Sequence, residues 1–194
     1  YSVESRNLLA LVTKNALVGL ALVLIMLILF FNIKVAFWTA MGIPISILMA
    51  FLVIPKIGGT INFITMMGII IVLGMLVDDA IVVAENIFRY REQGSSGREA
   101  AILGTKEVML PVIATVLTTI VAFSPLMAMT GVMGKFMFYM PVVVSLILFA
   151  SLIESLFVLP SHMAHIKLKA TKERKFRPFK ALEKYYKKGV LWTL

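Results

Sequence analysis

The sequence predicts an all-α membrane protein: a bundle of five transmembrane helices followed by an amphipathic helix on the cytoplasmic surface. Three observations predict it. Of the 194 residues, 60% are hydrophobic, with a mean hydropathy of +0.97, more apolar than a soluble domain can hide. The apolar residues fall in long blocks of membrane-spanning length. The net charge of +9 is lopsided, with ten of the nineteen Lys and Arg lying between Lys167 and Lys188. A basic tract adjoining a span points to orientation in a membrane and contact with anionic lipid, and not to nucleic acid. There is no Cys, which excludes disulfides and thiolate metal sites. The two His, His162 and His165, cannot build a metal site alone, so neither a metal nor a cofactor is expected.

Residues 1–15 are mixed and amphipathic and read as an interfacial lead-in. The first span is expected over about 16–31, with a hinge at Asn32-Ile-Lys34. The second runs over about 35–54, with Trp38 as an interface anchor and Pro44 as a kink. Pro55 to Asn62 reads as a tight turn, and the third span covers about 63–88. The segment Arg89 to Lys106 is polar, and Ser96-Gly-Arg-Glu99 has capping-box spacing, so a helix should restart near Gly97. The fourth span is expected over about 108–129, with Pro111 near its start, Pro125 inside it and a polar stripe of Thr115, Thr118 and Thr119. A turn over Thr130 to Lys135 leads to the fifth span, about 136–159, which carries Glu154 and is closed by Pro160-Ser-His162. The bundle is thus assigned to residues 1–166 and a basic connector with its surface helix to 167–194. In that tail Phe179, Leu182, Tyr186 and Val190 recur near helical spacing among lysines.

With five spans the loops alternate sides. Lys34, Arg89, Arg91, Arg98, Lys106 and the ten basic residues of the tail fall on one side, against Arg6, Lys14, Lys56 and Lys135 on the other. The positive-inside rule places the first set in the cytoplasm. The first span therefore enters from outside, and the chain, which opens on Tyr1, is expected to be a piece of a longer protein.

Chemistry concentrates in Gly74-Met-Leu-Val-Asp78-Asp79-Ala-Ile-Val-Val-Ala-Glu85-Asn86. Two adjacent carboxylates sit in a run otherwise apolar from Phe63 to Val83, long enough at about 1.5 Å per residue to cross a hydrocarbon core of about 30 Å. Each ionised Asp at a span centre costs roughly 2.5–3.5 kcal/mol, so packing alone does not account for the pair. About 100° apart around the helix, both can face one interhelical seam. There they either carry protons as a coupled unit or form a static ion pair that fixes packing.

This stretch resembles the fourth transmembrane helix of resistance-nodulation-division (RND) exporters, above all the hydrophobe/amphiphile multidrug efflux branch of Gram-negative bacteria. Ile61-Asn62 before the span, the polar connector after it and Pro125 in the next span agree. The resemblance covers essentially the whole chain as helices two to six and the surface helix of the N-terminal half. It implies a proton/drug antiporter of the bacterial inner membrane, not an enzyme, built as a homotrimer. A periplasmic adaptor and an outer-membrane channel would be its partners, and protons and hydrophobic drugs its cargo. Asp78 and Asp79 would be the proton relay, with Lys, Arg and Thr partners on the C-terminal half and the drug pocket outside this chain.

Glu85 and Glu154 are possible secondary protonatable groups. Glu85 reads more simply as an interfacial carboxylate near Arg89 at i+4. Glu154 is equally a second protonatable group, a hydrogen-bond partner or a snorkelled acid at the span end. Gly68 and Gly74 are expected to allow close helix approach, the threonines to bond their own i−4 carbonyls, and the thirteen Met to pack. A metal-ion or lipid exporter of the same superfamily is an alternative, as is a non-catalytic scaffold like a sterol-sensing bundle. An intramembrane aspartyl protease needs Asp residues on two helices, whereas here both stand on one.

Overall fold

A computed structural model describes residues 14, 17–25, 27–28, 33–59 and 62–166. The N-terminal lead-in apart from residue 14, Asn32 of the hinge, and the basic connector with its amphipathic helix lie outside the described residues, which contain no strand. Helix α1 covers residues 17–25 and 27–28. The remaining helices are α2 (Ile33–Val53), α3 (Phe63–Glu92), α4 (Gly97–Phe123), α5 (Gly131–Met137), α6 (Tyr139–Ile153) and α7 (Leu159–His165). Short 3₁₀ turns extend α2 over Ile54–Ile57 and α4 over Ser124–Ala128. Among the described residues four continuous stretches are long and apolar enough to cross a membrane: Ile33–Ile57, Phe63–Glu92, Gly97–Ala128 and Gly131–His165.

Each helix start has a local cause. Asn62 closes a reciprocal cap on α3: the amides of Ile64 and Thr65 donate to its Oδ1 at 3.0 Å, and its own amide donates to Thr65 Oγ1 at 2.8 Å. Glu99 N–H donates to Ser96 Oγ at 3.3 Å, so α4 restarts at Gly97 as the capping spacing predicts. Gly58, at φ +73°, takes the left-handed conformation that ends the turn after α2.

Three expectations are corrected. The hinge does not extend to Lys34, because α2 already begins at Ile33. The turn expected over Thr130 to Lys135 is confined to Met129 and Thr130. Helix α5 begins at Gly131, whose φ of +79° makes the bend in one residue. Pro160 does not close the last span. A π-turn over Glu154–Val158, with the Leu159 amide on the Glu154 carbonyl, passes the chain through Pro160 to His165. Proline lacks an N–H and crowds the preceding turn, and the wider π-turn accommodates it without ending the helix.

α3 is the central helix and packs on α2, α4 and α6. Its contacts are set by glycines. A Cβ on Gly68 would stand 3.2 Å from the Met140 carbonyl oxygen, as expected of a close approach, and one on Gly104 of α4 would stand 2.7 Å from Ile87 Cα. Gly74 plays no such part among the described residues, none of which lies within 4 Å of its Cβ position. Two apolar clusters result. One gathers Val35, Ala36, Val83, Ala84, Ile87, Ala100, Leu159 and Met163, and the other Ala50, Ile54, Val72, Leu76, Val116, Val143, Val144 and Ile147.

Because Gly104 faces backbone and not a flexible side chain, Gly104→Ala must push α3 and α4 apart. The expected cost is about 1–3 kcal/mol, read as a lowered thermal unfolding midpoint in detergent. An unchanged midpoint would mean that the α3–α4 spacing is set elsewhere.

Candidate functional site

All four long helices pass from one apolar cluster to the other at the same level, and there each carries small or polar side chains. On α2 these are Thr39, Gly42 and Ser46, between Ala36 and Ala50. On α3 it is Asp79, between Leu76 and Ala80; on α4, Thr115, between Val112 and Val116. On α6 and the π-turn they are Ser151, Glu154 and Ser155, between Leu148 and Leu156. The result is a polar waist across the middle of an apolar bundle. Six of these side chains are buried: Thr39, Ser46, Asp79, Ser151, Glu154 and Ser155.

The two aspartates part company at this level. Asp79 is 9% exposed and turned into the bundle on the side of Thr115 of α4. Asp78, about 100° round the helix, is exposed on the outer face of α3. Neither has a cation within ion-pairing distance among the described residues, whose single ion pair is Arg89–Glu107. Thr118 and Thr119 donate to the i−4 carbonyls of Ala114 and Thr115 at 2.7 and 2.9 Å, the back-bonding expected of them, whereas Thr115 donates to the i−3 carbonyl of Val112 at 2.8 Å. Thr115 alone also lies on the side of an acid.

Glu154 is 4% exposed, so it does not snorkel. Its carboxylate lies flat against Gly42 of α2, and a Cβ at that position would overlap it. Glu85 is exposed and does not pair with Arg89. The α3–α4 turn instead brings Glu107 across, and Arg89 Nη2 donates to Glu107 Oε2 at 2.6 Å. Asn86 Nδ2 donates to the Gly104 carbonyl at 2.7 Å and to Glu107 at 3.1 Å. An interhelical partner outcompetes the i+4 neighbour because Asn86 and Gly104 already hold the helix ends in register. Arg91 Nη2 donates to the Ile166 carbonyl at 2.7 Å, tying α3 to the end of α7. Trp38 does not stand free as an interface anchor but stacks on His162, with ring centroids 3.6 Å apart. His165 Nδ1 lies 2.8 Å from the Ser161 carbonyl. Among the described residues no group of three or more His, Cys, Asp or Glu is placed to hold a metal ion.

Sequence reasoning missed Gly42, Ser46, Ser151, Ser155 and the Asn86–Glu107 link. The available signal was small-xxx-small spacing, Gly42 to Ser46 and Ser151 to Ser155, which marks close helix packing in membranes.

Comparison with known proteins identifies the family. The model of the AcrB/AcrD/AcrF family matches residues 5–194. The chain belongs to this family. It is 32% identical to multidrug resistance protein MdtC from an Escherichia coli O139:H28 strain, over 94% of this chain and 18% of that protein. MdtC from Shigella flexneri is also 32% identical, over 94% of this chain and 19% of its own length. A crystal structure of a heavy metal efflux pump superposes with a TM-score of 0.67 at 30% identity, over 80% of this chain and 16% of the pump. The chain is therefore a multi-pass membrane protein of the RND family. It spans about one fifth of the length of these curated relatives.

In this AcrB-type bundle Asn86 is buried and holds two acceptors, so Asn86→Ala leaves the Gly104 carbonyl without its side-chain donor. The expected loss is about 1–3 kcal/mol, measured as a shift in the unfolding midpoint. Arg89→Ala, which breaks an exposed pair, should shift it less. The opposite ranking would make the ion pair, and not the amide, the link between α3 and α4.

Proposed function

We propose that this chain is the proton-coupling transmembrane half-module of an RND proton/drug antiporter that exports hydrophobic or amphiphilic compounds. One observation carries the reading: two adjacent carboxyls stand at mid-span, one buried in the waist and one on the outer face of α3, with no cation beside either among the described residues. A carboxylate held in an apolar layer is costly until it takes up a proton or meets a cation. A Lys or Arg brought to the outer face of α3 by a second half of the transporter would stabilise the ionised pair. Its withdrawal would favour protonation. Alternating these states exchanges a proton for each conformational step, driven by about 2.3 kcal/mol per charge per 100 mV of membrane potential.

In this reading Asp78 and Asp79 form the proton relay and titrate as a unit. Thr115 supplies a hydroxyl that can accept from a protonated Asp79 or donate to an ionised one. The drug pocket, the counter-cation, the homotrimer contacts, the periplasmic adaptor and the outer-membrane channel belong to the rest of the assembly in the bacterial inner membrane. Likeness to a heavy metal efflux pump supports a second reading, in which the cargo is a metal ion.

In the intact transporter, expressed in a pump-deficient bacterium, Asp78→Asn and Asp79→Asn should each lower energised dye efflux at least about tenfold, a loss of roughly 1.4 kcal/mol or more in coupling, at matched membrane levels. Efflux at the parental rate in both variants would sink the coupling role. Tolerance to metal salts in place of dye efflux, lost with the same substitutions, would favour the metal reading.

A further inference from the structure

We propose that the Glu154 carboxyl is a second proton-binding site of the bundle, seated in the seam between α2 and the π-turn and served by the Ser46 hydroxyl. The proposal deepens the proton-driven reading and rests on it for its use in transport. It rests on geometry that owes nothing to the Asp pair.

The seam is shaped around the carboxyl. The carboxyl carbon and both oxygens of Glu154 are the three atoms nearest to where a Cβ on residue 42 would stand. Only glycine leaves them room. Ser46, one turn further along α2 on the same face, is 0% exposed, and its Oγ has no partner. Among the described residues Glu154 itself makes no hydrogen bond or ion pair. A buried acid and a buried hydroxyl, both unpartnered, thus share one face of one seam.

The titratable groups on the surrounding elements do not neutralise it. Lys34 lies about two turns before Gly42 on α2 and is exposed. On α3, Asp78 faces outward and Asp79 is turned to Thr115 of α4. On α6, Tyr139 lies about four turns away and donates to the Gly58 carbonyl. On α7, His162 is stacked on Trp38 and His165 sits against Ser161. An acid with no counter-charge in a dry apolar layer is stable there as the neutral carboxyl, whose O–H needs an acceptor and whose C=O needs a donor. A serine hydroxyl serves in either role. Ionisation then requires the seam to open and admit water or a cation.

The backbone offers the means. Glu154 opens a π-turn, the one place among the described residues where the helical ladder is widened, and such turns recur at functional sites. Opening the π-turn would lift the carboxyl off Gly42. The bundle would then hold two loading points at one depth, Asp79 on α3 and Glu154 on the last span.

The test is infrared difference spectroscopy of the intact transporter between acid and alkaline pH, comparing wild type with Glu154→Gln, which preserves shape and removes the titrating proton. Glu154→Gln should abolish one protonated-carboxyl stretching band, and that band should survive in an Asp78→Asn, Asp79→Asn double variant. Gly42→Ala, which displaces the carboxyl without removing it, should shift the band and so keeps the question open to a negative answer if Glu154→Gln does not assemble. Superimposable spectra of wild type and Glu154→Gln, a band that Gly42→Ala leaves in place, or a band that disappears with the Asp pair would each overturn the proposal. Failure of proton coupling is read separately, as parental efflux in the Asp variants, and leaves the Glu154 band unaffected.

Discussion

The cost of holding an acid in an apolar layer organises the bundle. An ionised Asp at a span centre costs a few kcal/mol and an isolated buried charge more, so the surrounding side chains must either hydrate it, pair it or keep it protonated. The described residues answer with geometry and not with counter-charge. All four long helices interrupt their apolar cores at the level of Asp79, and each contributes a hydroxyl, a glycine or an acid there. Apolar packing above and below this waist fixes the helices, and the waist is where their relative position can change the environment of a carboxyl.

The division of labour between Asp78 and Asp79 follows from the same constraint. Adjacent residues on a helix cannot both enter one tightly packed seam when Val77 and Ala80 on either side of the pair are themselves buried. Asp79 takes the inner position beside Thr115, and Asp78 is left on the outer face of α3. Over Phe63 to Val82 that face is otherwise apolar and exposed, with Phe63, Met67, Ile71 and Val82 along it. An exposed apolar stripe interrupted by one acid suits a neighbouring helix carrying a cation better than it suits lipid.

Much of this was legible in the sequence, for physical reasons that differ by element. The long apolar blocks located the spans because hydrocarbon leaves no alternative to a continuous helix. Ser96 located a helix start because a side-chain acceptor must stand at that position. The Asp pair was visible because its cost is a property of its own run. What escaped was relational. That Glu107 and not Glu85 would take Arg89 depended on the α3–α4 register, which Gly104 and Ile87 set. That Gly74 would face open space and Gly104 a backbone could not be told from two glycines in two apolar helices. The turn at Gly131 was over-read because glycine signals a bend without giving its length.

Pro160 shows how such relations build a site. Read alone, a proline after an apolar run ends a helix. In the folded chain the last span continues past it because Glu154 to Val158 widen into a π-turn. That widening costs helical hydrogen bonding, and a helix that simply stopped would avoid it. The continuation keeps Leu159 and Met163 in one apolar cluster and His162 against Trp38, so tertiary packing offsets the defect. Its location is not arbitrary, for the turn begins at the only acid on that span and stands against the glycine that admits the carboxyl. A proline, a π-turn, a buried glutamate and a facing glycine are each unremarkable in a membrane helix. Together they place the widened turn of the last span beside its one buried acid.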